Sequence, residues 1–176
     1  MPDSKQIHNI SRGSLVPVGS EWEIMTKIET KAVINFYRVS EEYGCFSNFF
    51  AAPFTLNERV WPTVEHYFQA QKFLDSENQE SIRVTKSPMI AARMGRDRKR
   101  PLRKDWETVK IDLMTDAVRA KFTQHDQLRK VLLSTGTATI VEHTKRDKFW
   151  GDGGDGNGKN MLGVILMRVR DELMQQ

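Results

Sequence analysis

The stretch Thr63-Val64-Glu65-His66-Tyr67-Phe68-Gln69-Ala70-Gln71-Lys72-Phe73-Leu74 constrains this chain more than any other segment. It reads as a helix over 63–74, reached through Trp61-Pro62, with the Thr63 hydroxyl placed to cap a free backbone amide. Successive residues turn by roughly 100°, so Glu65, Gln69 and Lys72 fall along one line. Tyr67, Phe68, Ala70, Phe73 and Leu74 fill most of the remaining circumference. A helix that is apolar on nearly every side is a buried helix. A carboxylate, an amide and an amine on it must pair with one another or face a pocket, because a buried charge left alone is costly. Two readings stay open at this point: a structural ion pair or solvent-facing line, and a functional site.

The 176 residues, 39% of them hydrophobic, are enough for one globular domain with its own core. No apolar run reaches about 18 residues, so no membrane span is expected. The N-terminus lacks the charged head and apolar stretch of a secretory signal. One cysteine, Cys45, excludes an internal disulfide and fits a reducing, cytoplasmic setting. His8, His66, His125 and His143 show no metal-ligand spacing, and no metal site is expected. The net charge of +4 is concentrated locally, with seven basic residues against Asp97 alone between Arg93 and Lys104. Such a run is a solvated loop, a phosphate-binding face or a nucleic-acid contact.

Residues 1–30 read as an N-terminal extension, flexible or partly vector-derived. Ser11-Arg12-Gly13-Ser14 and Pro17-Val18-Gly19-Ser20 are linker-like, and no hydrophobic period emerges. Leu15 to Ser20 differs by one residue from a common engineered cleavage linker, and Met25 is a candidate internal start. Residues 31–176 read as a single domain. It opens with a strand over 32–37, an aromatic loop over 43–50, and a hairpin of Phe54–Leu56 and Arg59–Trp61 turning at Asn57-Glu58. Helices follow at 63–74 and about 76–86, and a third has Ser87 as cap, Pro88 as first position and Gly95 as stop. Asp105 is placed to cap a long helix over 106–122 with Trp106, Val109, Leu113, Ala117 and Ala120 as its apolar positions. A helix at about 125–134, a strand at 139–143 and a helix at about 160–174 complete an α+β domain, mainly helical with a small sheet.

A second informative segment runs from Phe149 to Asn160, with five glycines between Gly151 and Gly158. This backbone can wrap closely around a ligand, and the amides at the start of the last helix favour an anion. The spacing fits neither a nucleotide-binding phosphate loop nor a calcium-binding EF-hand. Trp150 and Asp152 argue against a mere flexible linker.

Four motifs occur in order: Tyr43-Gly44-x-Phe46-Ser47-Asn48-Phe49, Trp61-Pro62-Thr63-x-Glu65 continuing to Phe73, Ala91-Ala92-Arg93-Met94-Gly95-Arg96-Asp97, and Trp150-Gly151-Asp152-Gly153-Gly154. Together they resemble the YbiA-like or NADAR family of NAD- and ADP-ribose-associated proteins, from about Ile34 to the C-terminus. The resemblance implies a compact, mainly helical fold and a cofactor-free N-glycosidase. Similar bacterial and plant members are associated with hydrolysing phosphoribosylamino-pyrimidine intermediates of riboflavin synthesis to ribose 5-phosphate and the free aminopyrimidine. Other branches are associated with removing ADP-ribose from guanine in nucleic acid. A non-catalytic nucleotide-sugar binding module is a further alternative.

Cleaving an N-glycosidic bond develops positive charge on the ribose C1–O4 unit and negative charge on the departing nitrogen. A site needs a carboxylate near C1, an acid or donor near the leaving group, and a phosphate anchor. Glu65 is the first candidate for the carboxylate. Lys72 is a candidate nucleophile, able to exchange into a ring-opened imine as a Schiff base while Glu65 or Asp152 shuttles protons. Water attack and Schiff-base chemistry both stay open. Trp106 and Trp150 are candidates to stack on the base, and Asp147 to bond ribose hydroxyls or the base edge. Gly151 and Gly153 are candidates for close backbone approach, and Asn48 for reading the base. Arg93, Arg96 and Arg100 are candidates for the 5-phosphate, since the guanidinium fork matches phosphate oxygens. His66 reads as structural and Cys45 as inert.

Overall fold

The structure is a computed structural model that describes residues 32–176. The readings made for residues 1–30 lie outside the described residues. The element order is β1 (Val33–Phe36), β2 (Phe54–Leu56), β3 (Arg59–Trp61), α1 (Val64–Ala70), α2 (Ser76–Arg83), α3 (Pro88–Met94), α4 (Trp106–Gln124), α5 (Asp126–Ser134), β4 (Thr139–Glu142) and α6 (Met161–Met174). The small sheet expected from the sequence is in fact two separate two-stranded sheets. β1 and β4 pair in parallel, with Ile34 opposite Ile140 and Phe36 opposite Glu142. Parallel strands require a long crossover, and here the crossover carries the hairpin and α1 to α5.

The hairpin forms where the sequence places it. Asn57 and Glu58 both take positive φ, 52° and 61°, the geometry that matches the twist of a two-residue turn. Thr63 caps α1 by accepting a hydrogen bond from the His66 amide at 3.2 Å. Every residue of α1 is buried, the polar Glu65, His66 and Gln69 included. The helix is shorter than 63–74. Past Ala70 the chain tightens into i→i+3 bonds from Lys72 N to Gln69 O and from Phe73 N to Ala70 O. Leu74, expected to fill the helix circumference, is instead 71% exposed. His66 is structural: its Nδ1 meets Thr63 Oγ1 at 2.8 Å and its Nε2 meets Thr85 O at 3.2 Å.

Ser87 caps α3 through the Ile90 amide, with Pro88 in its first turn and Gly95 at its end. Asp105 precedes α4 but does not cap it with its side chain. Both of its carboxylate oxygens are instead engaged by the Arg103 guanidinium, at 2.7 and 2.9 Å. The α4 face that enters the core is also rotated from the expected stripe. Met114, Ala117, Val118, Lys121 and Phe122 are buried, whereas Val109, Leu113 and Ala120 only border the core.

The buried stripe also includes a lysine, Lys121. It has no exposed surface. Its Nζ donates to Cys45 O at 2.6 Å and Ser47 O at 3.0 Å, and stands 5.5 and 5.2 Å from the Phe50 and Phe122 ring centres. Burial pushes its pKa down to about 7. Two carbonyls and two ring faces are the compensation a buried ammonium needs. The contact pins the aromatic loop that carries Asn48, and the Glu65 amide holds the same loop through Asn48 O at 3.0 Å.

Lys121→Met would leave two loop carbonyls without their donor. It should lower stability by about 1–3 kcal/mol in urea unfolding and speed amide exchange across residues 43–50. Unchanged stability and exchange would show that the ammonium does not hold the loop.

Candidate active site

α1, the aromatic loop, α4, β4 and the glycine-rich loop enclose a cavity of about 290 Å³. α1 and the turn after it supply Glu65, Phe68, Gln69 and Lys72, and the aromatic loop supplies Asn48. Glu142 comes from the end of β4, Asp147 and Trp150 from the segment that follows, and Arg96 from just beyond α3. Six of the residues read from the sequence therefore meet in one place: Asn48, Glu65, Lys72, Arg96, Asp147 and Trp150.

Glu65 accepts a hydrogen bond from Gln69 Nε2 at 2.8 Å. Lys72 Nζ donates to Gly95 O at 3.3 Å and lies 5.9 and 5.5 Å from the Phe68 and Trp106 ring centres. Among the described residues Glu65 and Lys72 form no ion pair within 4.0 Å, so the line is not a structural salt bridge through Gln69. Burial raises the Glu65 pKa, opposed by the Gln69 hydrogen bond and by Lys72 and Arg96. Burial lowers the Lys72 pKa, opposed mainly by Glu65, with Arg96 adding to the fall. Both shifts favour the uncharged forms, the carboxylic acid and the free amine. The buried Oδ1 of Asn48 and Oε1 of Gln69 have no hydrogen-bond partner.

Gln69 also explains Gly95. A Cβ at that position would stand 2.0 Å from Gln69 Oε1, so the helix stop doubles as room for the amide beside Glu65.

A second cavity, of about 480 Å³, adjoins the first through Lys72 and Arg96 and is lined by Arg98, Arg100 and Trp106 among others. Trp106 is buried against Phe68, with ring centres 4.9 Å apart. Arg100 donates from Nη1 to Asn78 Oδ1 and, at 3.1 Å, to Ser81 Oγ, and its guanidinium lies 6.0 Å from the Phe73 ring centre.

Arg93, Asp152, Gly151 and Gly153 line neither cavity. Arg93 is exposed on α3. The Asp152 carboxylate accepts from His143 Nδ1 at 2.7 Å, Thr144 N at 3.1 Å and Gly154 N at 2.8 Å. Burial alone would raise its pKa, but these bonds outweigh burial and lower it. Gly151 is packed so that a Cβ would stand 2.4 Å from Thr144 Cγ2 and 2.7 Å from Glu142 O. Gly153 takes φ +75° and its amide bonds Asp147 O at 3.1 Å. The helix-start amides expected to favour an anion are occupied as well: those of Asn160, Met161 and Leu162 donate to Gly151 O, Phe149 O and Trp150 O. The glycine-rich loop is thus folded on itself, and it presents Asp147 and Trp150. Asp147 Oδ1 accepts the Phe149 and Trp150 amides at 2.8 and 2.7 Å, which fixes the indole at the cavity wall.

Glu142 is absent from the sequence-based candidates. The strand alternation contained the signal: Ile140 is fully buried, and a residue two positions on points to the same face. Burial raises the Glu142 pKa to about 7, with Asp147, Glu65 and Asp152 adding to the rise.

A NADAR domain model matches residues 35–174, and the chain belongs to the NADAR domain family. It is 59% identical over 141 residues to N-glycosidase YbiA of Escherichia coli (strain K12), which covers 80% of this chain and 88% of that protein. An NMR structure of the E. coli protein YbiA is similar, with a TM-score of 0.77 and 57% identity over 82% of this chain and 86% of that chain. A riboflavin biosynthesis protein of Vibrio vulnificus (strain YJ016) is 42% identical over 142 residues, 81% of this chain but 39% of that longer protein.

Glu142 carries its proton to about pH 7 in the fold, whereas a free Glu side chain ionises near 4.5. The native state then binds more protons than the unfolded chain between those values, so stability falls as pH rises through this window. Glu142→Gln should therefore be more stable than the parent at pH 8, by on the order of 1–3 kcal/mol. The gap should close below pH 4.5. Urea unfolding at pH 5 and pH 8 measures it, and equal stabilities at pH 8 would contradict a strained carboxylate.

Proposed function

We propose that this chain is an N-glycosidase that hydrolyses the C–N bond of phosphoribosylamino-pyrimidine intermediates of riboflavin synthesis. The products are ribose 5-phosphate and the free aminopyrimidine. The observation that carries the reading is one cavity holding a buried carboxylate, Glu65, and a half-buried amine, Lys72, that do not pair with each other. The names of the E. coli and Vibrio relatives support it.

Glu65 faces ribose C1, where it steadies the developing positive charge and accepts the proton of the attacking water. Lys72, with its pKa lowered by burial, is the group able to form an imine with the ring-opened sugar. Asn48, through its unpartnered oxygen, and Asp147 contact the base or ribose hydroxyls. Trp150 forms a flat wall for the pyrimidine. Arg96 joins the two cavities and is the leading phosphate anchor, with Arg100 behind it. Asp152, Gly151 and Gly153 act at a distance, by holding the loop that carries Asp147 and Trp150, whereas the exposed Arg93 has no such contact. The substrate is a small molecule, and the single buried Cys45 suits a cytoplasmic enzyme.

Purified protein mixed with the phosphoribosylamino-pyrimidine, without added metal or nucleotide, should release ribose 5-phosphate. Glu65→Gln and Lys72→Ala should each cut turnover by roughly 10²-fold or more with the fold retained by circular dichroism. Near-normal turnover in either variant would remove that residue from the chemistry. Borohydride added during turnover should fix the sugar to Lys72 if the imine forms, and an unlabelled lysine would leave direct water attack. Arg96→Ala should mainly raise KM, since a phosphate anchor holds ground and transition states alike. The adjoining basic cavity favours one second reading, removal of ADP-ribose from guanine, which would require turnover of ADP-ribosylated DNA and silence with the pyrimidine.

A further inference from the structure

The departing amine of an N-glycoside is a poor leaving group unless it takes up a proton as its bond to C1 breaks. In the reading above Glu65 and Lys72 both serve C1, which leaves this proton to another group. Glu65 has a donor, Gln69, and the positive charges of Lys72 and Arg96 bear on its carboxylate. Glu142 is its opposite. Its carboxylate lines the cavity and has no hydrogen bond or ion pair among the described residues. The acids bearing on it are Glu65 from α1 and Asp147 and Asp152 from the segment after β4. Asp152 is already spoken for by His143, Thr144 and Gly154.

Its backbone is also fixed from three sides. The Glu142 amide donates to Asn160 Oδ1 at 2.9 Å, its carbonyl accepts from Asp152 N at 3.0 Å, and it pairs with Phe36 across the parallel sheet. Asn160 reaches β4 again from Nδ2 to Ile140 O at 2.8 Å. The backbone thus fixes where the side chain starts, and its carboxyl faces the cavity with no hydrogen bond among the described residues.

We propose that Glu142 is the general acid of this site, donating its proton to the exocyclic nitrogen of the leaving pyrimidine. The inference rests on the N-glycosidase reading above. The Glu142 carboxyl proton passes to the nitrogen as the C1–N electron pair leaves with it. A water oxygen adds to C1, and the proton it loses goes to the Glu65 carboxylate. Exchange with solvent then returns one proton to Glu142 and takes one from Glu65. Burial favours the protonated form of both carboxyls, but only Glu65 has a donor and the charges of Lys72 and Arg96 opposing that effect, which suits it to the base role and Glu142 to the acid role. If Lys72 attacks instead, the same amine departs and needs the same proton.

The test compares two leaving groups. One substrate is the phosphoribosylamino-pyrimidine, and the other is 4-nitrophenyl riboside 5-phosphate, whose phenolate departs unprotonated. The parent should lose kcat above about pH 7 with the amine substrate and not with the nitrophenyl one. Glu142→Gln should lose about 10²–10⁴-fold with the amine and less than about tenfold with the nitrophenyl substrate, while Glu65→Gln should lose both. Equal losses of Glu142→Gln on both substrates, or no loss on either, would overturn the acid role while leaving the glycosidase reading intact. A parent inert toward both substrates would overturn that reading and the acid role with it. The parent's two pH profiles need no variant, so they decide the question even if Glu142→Gln folds poorly; matching profiles would refute the proposal.

Discussion

Everything in the site depends on the removal of Glu65 from water. α1 has no exposed face, so its carboxylate has either to be neutralised by its surroundings or to look into a hollow. The fold provides a hollow, with one amide donor on Glu65 and cations placed near it without closing on it. Had Lys72 closed to ion-pair distance, the pair would be quenched and the cavity filled. Gly95 keeps the two apart by taking the lysine on its carbonyl while giving Gln69 the space to stay on the acid.

The other walls are each held by an unusual contact. The aromatic loop hangs from the ammonium of Lys121 and from the Glu65 amide. The glycine-rich loop is gathered by Asp147, Asp152 and Asn160, whose side chains accept backbone amides that a helix or strand would otherwise satisfy. Asn160 itself takes φ 50°, an uncommon backbone for a residue with a side chain. Asp152 and Asn160 are thus spent on the loop's own shape, while Asp147 both shapes the loop and lines the cavity.

Local rules made the elements legible. Thr63 and Ser87 cap as their chemistry demands, the two-residue hairpin follows from its flanking strands, and the helices lie within a few residues of their periodic patterns. What sequence order could not convey is where the segments meet. The parallel pairing of β1 with β4 joins residues more than a hundred positions apart, and with it comes Glu142. Lys121 was hidden for the opposite reason, since a lysine inside a helix stripe reads as a break in the apolar face. Asp152 and the glycines stood out because they are unusual, and the structure gives that distinctiveness to loop geometry. Glu65 and Lys72 were legible because a carboxylate and an amine on an aromatic helix must be accounted for, Arg96 because it sits in a dense basic run, and Asn48 because of its aromatic loop.

The β1–β4 pairing also has a consequence for how the protein comes into being. Glu65 and Lys72 leave the ribosome long before Glu142, Asp147 and Trp150, and β1 must wait for β4 across more than a hundred residues. Contacts so distant in sequence form late and slowly. A nascent chain therefore holds half of its reactive groups exposed on an apolar segment with nothing to cover them. The cavity exists only once β4 and the segment after it have been made and paired, which makes the arrival of Glu142, Asp147 and Trp150 the step that closes the site over the buried helix.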